Sequence, residues 1–184
     1  MEPSRSQPRH HAHQLHLFVD SSINPALYAG VERALKSSFP LKRIKITTVP
    51  YSTYHHCWDD RRKQLDCDRL LDQLAKWKAQ DEYGLLLTPR DAAPVSRNFV
   101  FGAGKRKMGA FVATYRLGND PNFVVKECVH EIGHVFGLGH CVLPCVMTFS
   151  NCVAAAHQKK TTLCEACRRK VYASSLRSHP RPTS

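Results

Sequence analysis

No run of apolar residues in this 184-residue chain approaches the roughly 20 needed to cross a bilayer, so nothing in it reads as a membrane span. The opening residues, Met1 to Gln14, are polar and rich in proline and histidine, without the apolar core of a secretory signal, and no inhibitory pro-segment is evident. A cytoplasmic location is therefore expected. Acidic residues are scarce, 15 against 27 lysines and arginines, which leaves a formal charge of +12. Eight cysteines in a reducing compartment favour metal binding over disulfides. With 42% hydrophobic residues the chain suits one domain, able to bury roughly two-thirds of its unfolded surface.

His130 to His140 reads H-E-I-G-H-V-F-G-L-G-H. On a helix at about 3.6 residues per turn, His130 and His134 project from one face and can grip one metal ion. Glu131 lies about 100° further round, where its carboxylate can reach a water on the metal without becoming a ligand. Gly137 ends the helix, since glycine tolerates the left-handed conformation common there, and the turn returns His140 as a third ligand. Three imidazoles leave a fourth tetrahedral position for water, the mark of a catalytic rather than a structural zinc. The ion lowers that water's pKa to about 7 and polarises a carbonyl, and Glu131 collects the proton. A lone histidine on an apolar helix is ordinarily a core residue, but five fixed positions matching together predict a zinc peptidase.

Just downstream, Cys141 and Cys145, then Cys164 and Cys167, have the spacing of a second, closed zinc held by four thiolates, which would fold a short carboxyl-terminal segment poor in apolar residues. Two disulfides, or a redox pair at Cys164 and Cys167, are the competing readings; nothing suggests an oxidising compartment or a βαβ context. The remaining cysteines, Cys57, Cys67, Cys128 and Cys152, are expected to be reduced and structural. Cys128 should point away from the ligand face, and His55, His56 and Cys57 are too close in sequence to converge easily on one ion.

The run from His130 through Cys167 resembles the archaemetzincins, small metzincin-type zinc peptidases that join the histidine motif directly to a cysteine, a second cysteine, a methionine two residues on and a closing C-x-x-C. Here these are Cys141, Cys145, Met147, Cys164 and Cys167. The chain is one residue shorter than the family pattern in both loops between cysteines. The resemblance implies a catalytic zinc on His130, His134 and His140, Glu131 as base, a four-cysteine zinc beside it, and Met147 as the Met-turn residue, a soft apolar floor below the histidines. Two zinc ions per chain follow, and a peptide or protein as substrate.

Apolar periodicity predicts an α/β arrangement. Strands are expected at Leu15 to Val19, Ile44 to Thr48, Gly84 to Thr88, Asn98 to Phe101 and Ala110 to Tyr115, the last two flanking a glycine-rich basic turn. Helices are expected from Asn24 and Pro25, from Asp60 to Lys78, and from Asp120 and Pro121 into the zinc motif. The resemblance, extending over about Leu15 to Tyr172, implies a mixed twisted sheet of about five strands with two packing helices and an active-site helix, then a small four-cysteine subdomain. It also places the strand before the zinc helix, Ala110 to Tyr115, at a sheet edge where a substrate backbone can pair. The expected divisions are a tail over 1–14, a subdomain over 15–139, a zinc-stabilised subdomain over 140–173 and a basic tail over 174–184. Gly102-Ala103-Gly104-Lys105 is no phosphate loop, since Phe99 and Arg106 stand where a glycine and a Ser or Thr are needed.

Two other functions compete. Lys159, Lys160, Arg168, Arg169, Lys170, Arg177 and Arg181 against Glu165 hold half the net charge within the last 26 residues, as in a zinc-containing nucleic-acid-binding module, although such a terminus is commonly a solvated face. A catalytically silent zinc scaffold is the other. The nucleic-acid reading gives the histidines and Glu131 no purpose, and the scaffold stays open because correct ligands do not prove that a substrate is accepted; peptide hydrolysis by a monomer is the expectation, with aminopeptidase and endopeptidase action both open.

Overall fold

The structure, a computed structural model, describes residues 13–118, 120–150 and 152–176. In chain order its elements are β1 (His13–Asp20), α1 (Pro25–Tyr28), α2 (Val31–Ser38), β2 (Leu41–Val49), β3 (Trp58–Asp59), β4 (Gln64–Asp66), α3 (Cys67–Trp77), β5 (Glu82–Thr88), β6 (Ala92–Ala93), β7 (Gly102–Lys105), β8 (Gly109–Ala113), α4 (Pro121–Val135), α5 (Val153–Gln158) and α6 (Glu165–Leu176). A mixed five-stranded sheet in the order β2-β1-β5-β8-β7 forms the α/β frame, as expected, and β3-β4-β6 make a small second sheet. In the five-stranded sheet β2, β1, β5 and β8 run parallel and β7 is antiparallel to β8.

The central strands are apolar on both faces because helices cover both. Leu15, Leu17, Leu85, Leu87, Ala110 and Val112 point into a core shared with Val31 and Leu35 of α2 and Val124, Val129 and Ile132 of α4. Their alternates Phe18, Leu86 and Phe111 point the other way, against Leu70 and Leu74 of α3. Each such leucine, wholly removed from water, contributes about 1.5–3 kcal/mol. Helix α4 begins at the expected cap: Asp120 accepts from the Asn122 N–H, Pro121 fills the first turn, and Gly137 follows the helix at φ +88°.

Four expectations are corrected. The helix awaited from Asp60 starts only at Cys67, because Asp59 and Lys63, the latter at φ 55°, turn the chain into β4, and Asp66 then caps α3 by accepting from Arg69 N–H. The helix beginning at Pro25 is two pieces, interrupted at Ala29 and Gly30. Asn98 to Phe101 is not a strand of the main sheet; Gly102–Lys105, read as the turn, is that strand, and the turn is Arg106 to Met108, with Lys107 at φ 59°. The strand at that edge is consequently β7, while the one expected there, Ala110 to Tyr115, is internal as β8 up to Ala113 and continues into a 3-10 turn at Thr114–Arg116. At the ends, β1 already includes His13 and Gln14, and α6 runs on to Leu176; the rest of both expected tails, His10 and His11 included, lies outside the described residues.

Candidate metal centre and its cleft

Helix α4 carries His130 and His134 one turn apart, with their Nε2 atoms 3.1 Å from each other. The Nδ1 of His130 lies 2.9 Å from the Val146 carbonyl and that of His134 2.8 Å from the Leu138 carbonyl. A carbonyl only accepts, so each Nδ1 carries the proton and each Nε2 presents a lone pair. Two such lone pairs that close repel unless a cation lies between them. The turn at Gly137 brings His140 round, with ring centroids 5.5 Å from His130 and 5.0 Å from His134, and the donor atoms of all three rings fall within 4.8 Å of one another. Tetrahedral zinc with Zn–N of ~2.05 Å requires N···N separations of ~3.3 Å, so this set suits the ion.

Burial pushes the His130 imidazole down to about 3, aided by the positive charge of Lys159, and burial followed by His134 and Lys159 also lowers His140. These rings stay neutral at physiological pH, as metal ligands must. Glu131, almost wholly buried beside them, is pushed up to about 8 by desolvation and then by the nearby Glu127 carboxylate, against the pull of Lys159.

The four cysteines come together in the same way: the sulfurs of Cys141, Cys145, Cys164 and Cys167 also lie within 4.8 Å of one another. Cys141 Sγ is 3.8 Å from Cys164 Sγ, too far for a disulfide and equal to the ~3.8 Å that tetrahedral Zn–S bonds of ~2.3 Å impose. All eight cysteines are free, which removes the two-disulfide alternative from this structure; Cys57, Cys67 and Cys128 are buried, whereas Cys152, expected to be structural, is exposed. The Cys167 N–H helps hold the Cys164 thiol down to about 7. This cluster is wired to the histidines. The segment Cys145 to Met147 supplies one of its thiols, and its Val146 carbonyl is the group that orients His130, while Cys141 N–H donates to the Met147 carbonyl at 2.9 Å. Met147 is fully buried, its sulfur packed so tightly onto Gly133 that a methyl group there would collide with it.

A cleft of about 890 Å³ opens over the histidines, bounded by β7 on one side and by Phe149, Ser150 and Lys159 on the other. Strand β7 lies directly on α4. A side chain at Gly102 would place its Cβ 2.7 Å from Glu131 Cγ, and one at Gly104 would fall 2.6 Å from the Glu131 carbonyl, so only glycine permits the approach. Neither has a positive φ, so these glycines serve closeness rather than turning. The following turn is fixed by Lys107 N–H, which donates to the Val135 carbonyl at the end of α4.

Two groups in the cleft had escaped the sequence reading. Lys159, counted with the basic terminus as part of a solvated face, is buried, its Nζ 2.7 Å from Glu127 Oε1 with both side chains at most 3% exposed. Glu127 had a signal, since it stands three and four residues before His130 and Glu131 on the same helical face. Lys159 had none. His55 and His56 remain exposed and form no metal cluster with Cys57 among the described residues.

Comparison with known proteins agrees with this geometry. The model of peptidase family M54 matches residues 42–173. The chain is 36% identical over 148 residues to an archaemetzincin of Nanoarchaeum equitans, covering 80% of this chain and 84% of that protein. It is also similar to the crystal structure of archaemetzincin from Methanopyrus kandleri, with TM-score 0.79 and 31% identity over 91% of this chain and 97% of that one. A zinc-dependent peptidase from Methanocorpusculum labreanum gives TM-score 0.73 and 28% identity over 85% and 99% of the two chains.

Proposed function

This chain belongs to peptidase family M54, the archaemetzincins, a zinc metallopeptidase family, and from that premise we propose that it cuts peptide bonds by general-base hydrolysis at His130, His134, His140 and Glu131. The observation that carries the reading is the convergence of three imidazole nitrogen donors with one buried carboxyl at their side. Zinc held by these rings supplies a Lewis acid that makes water nucleophilic at neutral pH and polarises the scissile carbonyl. Glu131 takes the proton of the attacking water and returns it to the leaving nitrogen. Val146 and Leu138 keep the first two rings in the ligand tautomer. Strand β7, with its outer edge unpaired among the described strands, offers its backbone to an extended substrate in the cleft that the three histidines line. Cys141, Cys145, Cys164 and Cys167 would hold a second zinc, which would be structural, since four thiolates would leave it no open position. Met147 supports the histidine floor from below without binding metal.

Changing Glu131 to Gln tests this. Zinc content by metal analysis should be unaltered while turnover of a peptide library falls by about 10²–10⁴-fold. Equal turnover in the two proteins refutes the role of Glu131.

A further inference from the structure

Residues 94 and 96–101 line one wall of the cleft, just ahead of the glycines of β7. The stretch has the composition of a surface loop, with Pro94, Ser96 and Asn98 in it and residues 95–98 exposed. Its near end follows β6, which pairs with β4. At its far end Val100 N–H donates to the Ala92 carbonyl at 2.9 Å, and the Phe101 carbonyl accepts from Ala113 N–H at 2.8 Å. Between these ends the main chain bonds to itself, through Arg97 N–H and the Pro94 carbonyl at 3.2 Å.

Side chains from behind the wall hold its middle. Arg62 Nη1 donates to the Pro94 carbonyl at 2.8 Å, and its Nη2 donates to the Arg97 carbonyl. The planar fork of a guanidinium suits two carbonyls at once, which a compact ammonium does not. Gln64, buried, donates through Nε2 to the Asn98 carbonyl at 2.7 Å and to Asp91 Oδ2 at 2.8 Å. Asp91 is fixed in turn by Arg116, whose guanidinium lies 4.3 Å over the ring of Phe99. A tight turn aims Arg62: Asp59 Oδ1 accepts from the N–H groups of Arg61 and Arg62, and Lys63 N–H donates to the Asp59 carbonyl. Arg62, Gln64, Asp91 and Arg116 are not themselves among the residues that line the cleft. The histidines take their orientation from other groups, the carbonyls of Val146 and Leu138.

We infer that Arg62 and Gln64 are positioning residues for the substrate, the inference resting on the peptide-hydrolysing reading given above. By holding the carbonyls of Pro94, Arg97 and Asn98 they keep the 94–101 wall in one conformation beside the histidines. A peptide then binds without having to order a loop, a cost that otherwise comes out of its affinity. Their loss falls on substrate binding, and the metal and the chemical step are left in place.

The experiment compares zinc-loaded wild type with Arg62→Ala, Arg62→Lys and Gln64→Met, each checked for folding by thermal unfolding and for zinc by metal analysis. Kinetics on one peptide substrate are read beside the affinities of two inhibitors, acetohydroxamate, which is too small to reach beyond the metal, and a tripeptide hydroxamate. In Arg62→Ala and Gln64→Met, KM should rise about tenfold with kcat within about twofold, and the tripeptide hydroxamate should weaken about tenfold while acetohydroxamate does not. Arg62→Lys should fall between Arg62→Ala and wild type. A purely structural role would lower kcat through a smaller active fraction and leave KM alone. That result would overturn the inference, as would KM and inhibitor affinities unchanged in folded variants, both hydroxamates weakened equally, a tripeptide hydroxamate that does not bind the wild type, or loss of the fold in all three variants. If no peptide is cut but the tripeptide hydroxamate alone weakens in the variants, the hydrolytic reading fails and the positioning role stands. Cleavage with the same KM in wild type and folded variants does the reverse.

Discussion

Removing one member of the Glu127–Lys159 pair should cost far more stability than removing both. At 2.7 Å and an effective dielectric constant of about 20, the two charges attract by about 6 kcal/mol. With side chains 2% and 3% exposed, each has surrendered its hydration, a penalty of several kcal/mol per ion, so the pair as a whole nearly breaks even. Glu127→Leu alone leaves an ammonium buried without a counter-charge and should destabilise by about 3–5 kcal/mol. Lys159→Met alone should cost less, because a stranded carboxyl can neutralise itself by taking up a proton. The double variant, with apolar chains of similar volume facing one another, should lie within about 1–2 kcal/mol of the wild type. The assay is thermal unfolding of all four proteins at one fixed excess of zinc, since bound metal raises the apparent midpoint by mass action. For a chain of this size about 2–4 °C accompanies each kcal/mol, so Glu127→Leu should melt roughly 10 °C low and recover most of that when Lys159→Met is added. A Glu127→Leu protein as stable as the double variant would refute the buried-pair argument.

Cys167→Ala should weaken the histidine site as well as its own, because the Cys145 to Met147 segment carries the carbonyl that orients His130; a competitive chelator titration should show about 10–100-fold lower affinity for the activity-linked metal. Gly102→Ala forces a Cβ to within 2.5 Å of the Phe111 carbonyl and 2.7 Å of Glu131 Cγ, so β7 must move off α4, and peptide turnover should drop at least tenfold with zinc content retained, checked by steady-state kinetics beside metal analysis. Asp91 gives a pH signature. Burial alone would raise its carboxyl, but Arg116, through Nε at 2.9 Å and Nη2 at 2.6 Å, with Gln64 at 2.8 Å, holds it below the usual range. A depressed native value means stability that is present above the unfolded carboxylate range and lost as pH falls through the native value, so acid unfolding curves of Asp91→Asn should lack that part of the slope.

The metal clusters were legible in the linear chain because their geometry is mostly local. Helical periodicity alone puts His130, Glu131 and His134 within reach of one another, Asp120 and Pro121 open the helix by their own chemistry, and Gly137 supplies the left-handed turn that returns His140. The spacings of Cys141, Cys145, Cys164 and Cys167 likewise suit a shared metal, and the structure brings their sulfurs together, while Met147 was singled out by the family resemblance alone. Both β-strand misreadings came from one segment. Gly102–Lys105 has a turn's composition, and nothing along the sequence says that α4 will press so closely against it that only glycine fits; that pressure makes it a strand and moves the sheet edge from Ala110–Tyr115 to β7.

What only the folded chain decided is the buried ion pair among the residues that line the cleft. A lysine in a basic terminus looks the same whether water or a carboxylate surrounds it, since burial depends on elements far apart in sequence. Lys159 acquires its meaning when the α5 segment docks on α4 and sets its ammonium against Glu127, 32 residues earlier. The sequence determined which atoms can hold metal, through the fixed repeat of a helix. Tertiary packing determined which strand and which charges line the cleft, because strand order and desolvation are properties of the assembled chain and of no single stretch of it.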